Sequence, residues 1–393
     1  MSEISLEPVL SLPRGFRFRE VSNLTTLRQR GTLAPSLGPL VAFTGTFRGN
    51  GFNLIFRPDS STTPTPLPIP LPPPPPGAPP NDNVLELNLT SETLSFSPSL
   101  GSVPNRGTGA QGDIFLNGVP YLQSINDVTV PSQPVGIHFE PGIWLAVPPT
   151  TKPAEGATIA RMASIPHGTT IEAQGTSSTA AGKPVIPPVD ITPFVIGSNP
   201  VKKIPFPSQI ATDDKTARIP QNLAPFIAAG TITQAMLTDP NTLLRNHIAS
   251  QTITSTTTIS ISSDPAAPLL GGGADNIAFL QGDGAGPNAQ TVKMEATFWI
   301  ETVEYTIEVP VFDLGQPPLT IHAQTGAEGQ PVPSFLVNPP AAVREPRYLT
   351  VTAPQIQYSQ LVLLNFKGLS WPHVSVATLV PGGPIPVPPT AWA

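Results

Sequence analysis

The chain has 393 residues, of which 54 are proline and only 12% are charged, and its formal net charge is −6. So few charged side chains, against roughly 25% in average domains, argue against a mainly helical protein, and the acidic balance gives no attraction to nucleic acid or an anionic membrane. The absence of cysteine excludes disulfides, thiolate metal ligands and cysteine nucleophiles.

Residues 1–35 are predicted to form an N-terminal arm. They show neither the basic region nor the apolar run of a signal peptide, and no stretch of about 18 apolar residues follows. We therefore expect a cytoplasmic protein without membrane contact. The first strand signals are LVAFTGTFRGN and GFNLIFRP between residues 40 and 58. They predict a strand pair with a tight turn or bulge at Gly49–Asn50–Gly51.

Residues 62–82 form a proline-rich segment that is expected to be stiff and extended. Such a segment can dock into an aromatic-lined groove, or it can be a semi-rigid surface loop between strands, which is the preferred interpretation. Alternation resumes with Leu85, Leu87 and Leu89 and continues through several short apolar runs to residue 175. This pattern predicts an antiparallel meander of strands.

Residues 177–249 interrupt the strand pattern and are interpreted as an insertion that covers one end or side of a barrel. The part from residue 222 onward contains the only clear helical sequence pattern. Asp239 and Pro240 in it are typical of the first residues of a helix. Strands return at 252–262 and 290–312, where the apolar phase changes near Glu301 and predicts a bulge or turn. Residues 313–345 form a further loop excursion, and residues 386–393 form a proline-rich tail.

The last strand-like run, WPHVSVATL at 371–379, contains the most informative histidine. Alternate residues of a strand share a face, so His373, Ser375, Ala377 and Leu379 are predicted to lie together. A neutral imidazole followed by two small side chains leaves room for a flat cofactor, although a histidine of the core or rim would fit the same pattern. The five histidines show no HxH or HExxH spacing, so no zinc site is indicated.

Three blocks of the chain, taken in order, resemble the nitrobindin-type haem proteins. These blocks are GTFRGNG at 45–51, HFEPGIWL at 138–145 followed by IPHGTTIEAQG at 165–175, and WPHVSVATL at 371–379. Members of that family are closed antiparallel β-barrels related in shape to fatty-acid-binding proteins. Phe47 replaces a family tryptophan, Leu145 stands in place of a family arginine, and the three insertions enlarge the usual domain.

The resemblance implies an all-β protein: one closed antiparallel β-barrel over residues 36–385, with long Pro-rich loops and a small helical insertion. It also implies a haem b cofactor with His373 as the proximal iron ligand and an open site for NO, O₂ or peroxide. His138 corresponds to a position near the distal pocket and can bond a ligand or shuttle a proton. Alternatively, His138 and Glu140 form a polar pair on the barrel exterior.

The resemblance further suggests partners for the haem. Arg48 and Arg161 are candidates for the haem propionates, since a guanidinium binds a carboxylate bidentately, but they can equally be surface charges. Phe47 and Met162 are candidate pocket walls, and ordinary core packing explains them as well.

Two other histidines are predicted to have no part in the chemistry. His167 is interpreted as a turn residue and His247 as a surface residue of a helix. The functional hypotheses are a haem protein, either peroxidase-like or handling peroxynitrite and NO, a non-haem carrier of a lipid-like molecule, and a structural or assembly protein. The sequence leaves open whether the chain is an enzyme and whether it forms a homo-oligomer.

Overall fold

Ten β-strands close into one antiparallel barrel. The strands are β1 (Gly45–Pro58), β2 (Asn83–Phe96), β3 (Ile114–Asp127), β4 (Val135–Val147), β5 (Thr158–Ile165), β6 (Thr169–Ala181), β7 (Thr252–Ser262), β8 (Gln290–Val309), β9 (Arg347–Phe366) and β10 (Leu369–Pro381). Each strand pairs with its neighbours in sequence, and β1 also pairs with β10, from Phe47↔Pro381 to Leu54↔Val374. The expected all-β closed barrel and its meander order are confirmed.

The structure is a computed structural model. It describes residues 35–60, 64–73, 76–77, 82–107, 109–266, 271–281, 288–324 and 329–392. The described residues from Pro35 onward form one unit. The predicted N-terminal arm lies almost entirely outside them.

Strand β1 is continuous through Gly49–Asn50–Gly51, so the predicted strand pair with a turn there is wrong. The glycines serve a close approach of strands instead. A Cβ at Gly51 would lie 2.1 Å from the Val376 carbonyl oxygen of β10, and one at Gly49 would lie 2.0 Å from the Thr378 carbonyl oxygen. These glycines therefore allow β10 to approach β1 where the barrel closes.

Strand β8 is likewise continuous, and its change of apolar phase has another cause than a turn. Its first half buries Met294 and Phe298 inside the barrel, whereas its second half buries Val303 and Ile307 on the outer face, beneath the loops that follow. The predicted irregularity does occur, but on the neighbouring strand, where the register of β7 against β8 shifts between Ile253 and Ser255.

The insertion begins after Ala181, since β6 runs to that residue. It contains three short helices, α1 (Ala224–Ala229), α2 (Gln234–Thr238) and α3 (Thr242–Ile248). Apolar residues of the insertion, such as Phe206 and Leu244, pack with Phe56 and Val376 from the outward faces of β1 and β10. The insertion therefore covers the side of the barrel.

The remaining elements are short. They are the 3₁₀ helices Gly38–Ala42, Pro207–Gln209 and Pro389–Trp392, the four-residue helix Ala278–Gln281, and the strands Val103–Asn105, Thr150–Thr151, Ala154–Glu155, Phe194–Val195, Arg218–Ile219, Gly273–Asn276, Leu319–His322, Ser334–Val337 and Ile385–Pro386. The last three form a small sheet that joins the excursion after β8 to the C-terminal tail. The proline-rich segment does connect β1 with β2, and Ile69 in it exchanges two backbone hydrogen bonds with the Gln221 side chain.

The described residues fill one end of the barrel interior with an apolar core. Residues from all ten strands, among them Phe47, Trp144 and Phe298, form this inner core, and Leu40 and Phe43 from the segment before β1 close that end. The interior towards the other end contains the cavity described next, which is lined by both apolar and polar side chains.

Candidate functional site

A cavity of about 450 Å³ occupies the end of the barrel opposite Leu40 and Phe43. This volume is within the range of small-molecule sites, about 300–1,000 Å³. Its wall contains eight aliphatic residues, which are Ile55, Ile137, Ile165, Ile171, Leu280, Ala289, Val362 and Leu364. It also contains ten polar residues, which are Asn53, Glu86, Asn88, His138, His167, Thr169, Asn276, Thr291, Gln360 and His373.

Three histidines line this one cavity although they are far apart in sequence. His373 comes from β10, His138 from β4 and His167 from the turn between β5 and β6. The ring centroids of His138 and His167 are 5.9 Å apart. The second and third blocks singled out in the sequence thus converge on a single site.

His373 lies on the inner face of β10, as its alternation predicted. Asn53 donates through one side-chain amide nitrogen to His373 Nε2, at 2.9 Å, and to Ser375 Oγ, at 2.7 Å. Burial, together with the neighbouring His138 and His167, lowers the pKa of His373 to about 3. The imidazole is therefore neutral at any physiological pH.

His138 is held by a buried ion pair beneath the cavity. Its Nε2 donates to Glu140 Oε2 at 3.1 Å, and Arg161 Nη2 donates to Glu140 Oε1 at 2.5 Å. Tyr121 donates its hydroxyl to the same carboxylate, and Arg161 Nη1 reaches Gln360 Oε1 at 2.8 Å. Glu140 and Arg161 are 0% and 1% exposed, so they form a polar layer across the barrel and not a pair on its exterior.

The charges and hydrogen bonds of this layer determine the protonation state of the Glu140 carboxylate. Burial by itself raises the pKa of Glu140, but Arg161 and the hydrogen bonds from His138 and Tyr121 outweigh it and bring that pKa down to about 2. The carboxylate is therefore ionised and can only accept hydrogen bonds. His138 therefore donates to it from Nε2, and Nδ1 is the ring nitrogen that Glu140 does not bind.

A second buried carboxylate extends the layer. Glu92 accepts hydrogen bonds from Tyr358 at 2.6 Å, Thr90 at 2.9 Å and Gln123 at 3.3 Å. Burial raises the pKa of Glu92, and these hydrogen bonds offset only part of that rise. The layer therefore separates the apolar core from the cavity with groups whose partners are all inside the protein.

Glu86 is the acidic residue among the described residues that line the cavity. Burial raises its pKa, against the opposing effect of Arg57, whose Nε lies 2.9 Å from the carboxylate. Both side chains are partly exposed, at 28% and 39%. This ion pair therefore lies near solvent, in contrast to the pair of Glu140 and Arg161.

Four residues considered as haem contacts lie outside the cavity lining. Arg48 is exposed on the outside of the barrel, and Met162 is also outward and 41% exposed. Phe47 belongs to the inner core beyond the polar layer. Arg161 reaches the cavity only through Gln360, and its guanidinium lies over the rings of Tyr121, Trp144 and Phe298 at 5.4 to 5.5 Å.

His247 was predicted to be a surface residue of a helix, and this is wrong. It lies at the inner side of α3, only 9% exposed, where its Nδ1 is 2.8 Å from the Thr378 hydroxyl of β10. Burial lowers its pKa to about 4. The helix is covered because it packs on the outer face of the barrel, and nothing in its own sequence indicates which face is buried.

Several residues of the site were not predicted from the sequence. Asn53, Asn88 and Gln360 all project into the cavity, and Tyr121 binds the buried carboxylate. The sequence does contain an indication for Asn53. It is a polar residue within the apolar run GFNLIF, and by alternation it lies on the same strand face as Gly51. No comparable signal identifies Arg161 as the partner of Glu140, because cross-strand contacts depend on the register of β5 against β4.

No family model, curated protein or solved structure matches the chain. The resemblance to nitrobindin-type proteins therefore stays a prediction that rests on the three sequence blocks. Among the residues that the structure describes, no group of three or more His, Asp and Glu side chains is arranged to hold a metal ion. No helix in the described part of the chain combines the length and apolarity needed to cross a membrane.

Proposed function

We propose that this chain is a haem b protein in which His373 ligates the iron from one wall of the cavity. The observation that supports the proposal most is the convergence of His373, His138 and His167 on one cavity of a closed barrel. The second and third blocks with the family resemblance contribute these side chains, from strands that are far apart in sequence. A resemblance due to chance would give no reason for them to meet.

The residues at the cavity fit an iron porphyrin in two respects. His373 is neutral, and a neutral imidazole nitrogen is what haem iron binds. The aliphatic side chains, such as Ile171, Val362 and Leu364, supply the apolar wall that a porphyrin ring requires. One adjustment is needed, because the Nε2 lone pair of His373 now accepts a hydrogen bond from Asn53.

The propionate groups have no assigned partner. Neither Arg48 nor Arg161 lines the cavity, and no Lys or Arg is among its described lining residues. We therefore leave both arginines out of the proposed haem site.

When bound, haem supplies an iron with an open coordination position for NO, O₂ or peroxide. The protein's own contribution would be His138, which lines the same cavity and whose Nδ1 would accept a proton while ionised Glu140 holds the opposite nitrogen. Such a histidine and carboxylate pair is the arrangement of a general base. We propose His138 as this base, in a peroxidase-like oxidoreductase or a protein that converts peroxynitrite.

The test is titration of the purified full-length chain with haem, followed by its visible absorption. The expected result is a saturable Soret band at one haem per chain, lost or shifted in His373→Gly and partly restored by added imidazole. His322→Ala is the matched control, since His322 is exposed in the small outer sheet. A wild-type chain that gives no saturable band refutes the haem proposal.

A second candidate is a carrier of a neutral, hydrophobic small molecule without haem. It is favoured by the same Asn53 hydrogen bond, which leaves His373 Nε2 already satisfied, and by the aliphatic wall. A fluorescent apolar probe should then bind in the cavity with equal affinity in the wild type and in His373→Gly. Displacement of the probe by haem in the wild type alone would favour the first candidate.

The cellular setting stays a prediction. We expect a cytoplasmic protein without nucleic-acid or membrane partners, and a homo-oligomer is an open option. Size-exclusion chromatography coupled to light scattering gives the oligomeric state directly.

A further inference from the structure

The side chain of Asn53 is hydrogen-bonded to the Nε2 atom of His373. Asn53 lies on β1, between β10 and β2 in the sheet, directly opposite Ser375 on one side and Asn88 on the other. It is 7% exposed, and its side-chain amide bonds to His373, Ser375 and Asn88. The inner faces of three adjacent strands thus form one ladder of polar side chains beside the cavity.

The chemistry of the amide decides which atom donates. An amide nitrogen has two N–H groups and no available lone pair, and Asn53 directs these groups at His373 Nε2 and Ser375 Oγ. Its carbonyl oxygen accepts from Asn88 Nδ2 at the longer distance of 3.3 Å. His373 Nε2 must therefore be the acceptor, so the ring carries its proton on Nδ1.

We propose that Asn53 is a latch on His373, a positioning residue that occupies the Nε2 lone pair until an incoming ligand displaces it. The inference rests on the proposed function, since the ligand for which it matters is a haem iron. Without a ligand, the latch satisfies a nitrogen that would otherwise be a buried, unpaired acceptor, and this would cost free energy. With a ligand, the same hydrogen bond must be given up.

The latch makes His373 a weaker ligand than a free imidazole in the same place. Breaking one internal hydrogen bond opposes binding by about three- to tenfold. The released amide still has Ser375 and Asn88 as partners, so it is not left without hydrogen bonds. An ordinary structural hydrogen bond would behave in the opposite way, because its removal would loosen His373 and weaken binding.

The experiment compares haem affinity in the full-length wild type, Asn53→Ala, Asn53→Ser and the control Asn50→Ala. Both Asn53 variants lose the amide that donates to Nε2, whereas Asn50 lies on the same strand, donates to the Gly329 carbonyl oxygen and is not among the residues that line the cavity. We expect both Asn53 variants to bind haem about three- to tenfold more tightly than the wild type, and Asn50→Ala to bind within about twofold of it. Two Asn53 variants are included in case one fails to fold, which circular dichroism detects.

A second readout does not depend on haem. Nitrogen-15 NMR of the ligand-free chain reports which ring nitrogen of His373 carries the proton. We expect a fixed Nδ1–H tautomer in the wild type and in Asn50→Ala, and a mixture of tautomers in the Asn53 variants.

The outcomes are distinguishable. A folded Asn53 variant that binds haem as weakly as the wild type, or more weakly, overturns the latch, and so does a wild-type His373 protonated on Nε2. If no variant binds haem, the proposed cofactor is refuted, and the NMR result alone decides whether Asn53 holds the lone pair.

Discussion

Replacing Glu301 by Gln is expected to stabilise the protein at neutral pH. Glu301 lies on the outer face of β8 and is 1% exposed. Among the described residues, Gln355 is the donor that reaches it, from Nε2 to Oε2 at 2.6 Å, while Oε1 has no hydrogen-bond partner. Gln355 is in turn bonded to Gln251, which follows α3. A carboxyl group is therefore enclosed between barrel and insertion, and no cation among the described residues pairs with it.

Burial raises the pKa of Glu301 from 4.5 to about 8, and the hydrogen bond from Gln355 opposes only part of that rise. Between these two values the folded chain binds a proton that the unfolded chain has released, so stability falls as pH rises from about 4.5 to about 8. One pKa unit corresponds to about 1.4 kcal/mol. The cost at pH 7 is therefore at most about 3 kcal/mol. Glutamine is neutral at every pH and keeps the oxygen that accepts from Gln355.

The assay is urea unfolding of the wild type and Glu301→Gln at several pH values from 4 to 8. We expect the variant to be more stable at pH 7 by about 1–3 kcal/mol, with a gain that shrinks towards zero near pH 4. Glu304→Gln is the control, since Glu304 is exposed on the same strand, and its stability difference should stay within about 0.5 kcal/mol. A Glu301→Gln effect that does not change with pH would refute the reasoning.

Three further substitutions test the barrel, the insertion and the polar layer. Gly51→Ala places a Cβ 2.1 Å from the Val376 carbonyl oxygen, and we expect a loss of about 2 kcal/mol or more in urea unfolding. Arg218→Met removes a fully buried guanidinium whose hydrogen bonds go to backbone carbonyls of residues 208–221, and faster hydrogen exchange should be confined to that loop. Arg161→Met leaves the Glu140 carboxylate buried without its cation and should cost about 3–5 kcal/mol, part of which Glu140→Gln in the same chain should recover on thermal unfolding.

The barrel could be predicted from the sequence because period-two alternation indicates strands directly. Shorter connections between successive strands then favour a meander, as found from β3 to β6. The outer face was harder to predict. In β8, Val303 and Ile307 are apolar because the loops after β8 cover them, and the sequence of β8 cannot distinguish a covered outer face from a slip of phase.

The residues of the candidate site also divide into those that the sequence indicates and those that it does not. His373 and His138 could be singled out because each lies in a short motif, but alternation left open whether His138 and Glu140 face the interior or the exterior of the barrel. Asn53 and Arg161 could not, since their roles come from cross-strand neighbours. Which residue of β1 lies opposite Ser375 depends on the register set where β1 meets β10, and a shift of one residue would turn Asn53 out of the barrel.

The width of a ten-stranded barrel explains why both a cavity and a buried ion pair occur inside it. Eight strands enclose an interior that side chains just fill, and ten enclose more. At one end Trp144 and Phe298 fill the extra space with aromatic rings. Beyond them, Glu140 and Arg161 must keep their partners, because either charge alone would be costly to bury, so this layer cannot collapse into the space above it. The cavity therefore lies over a buried polar layer, and the same layer holds His138 through its Nε2. Loss of Arg161 should consequently disturb both the stability of the barrel and any chemistry at His138.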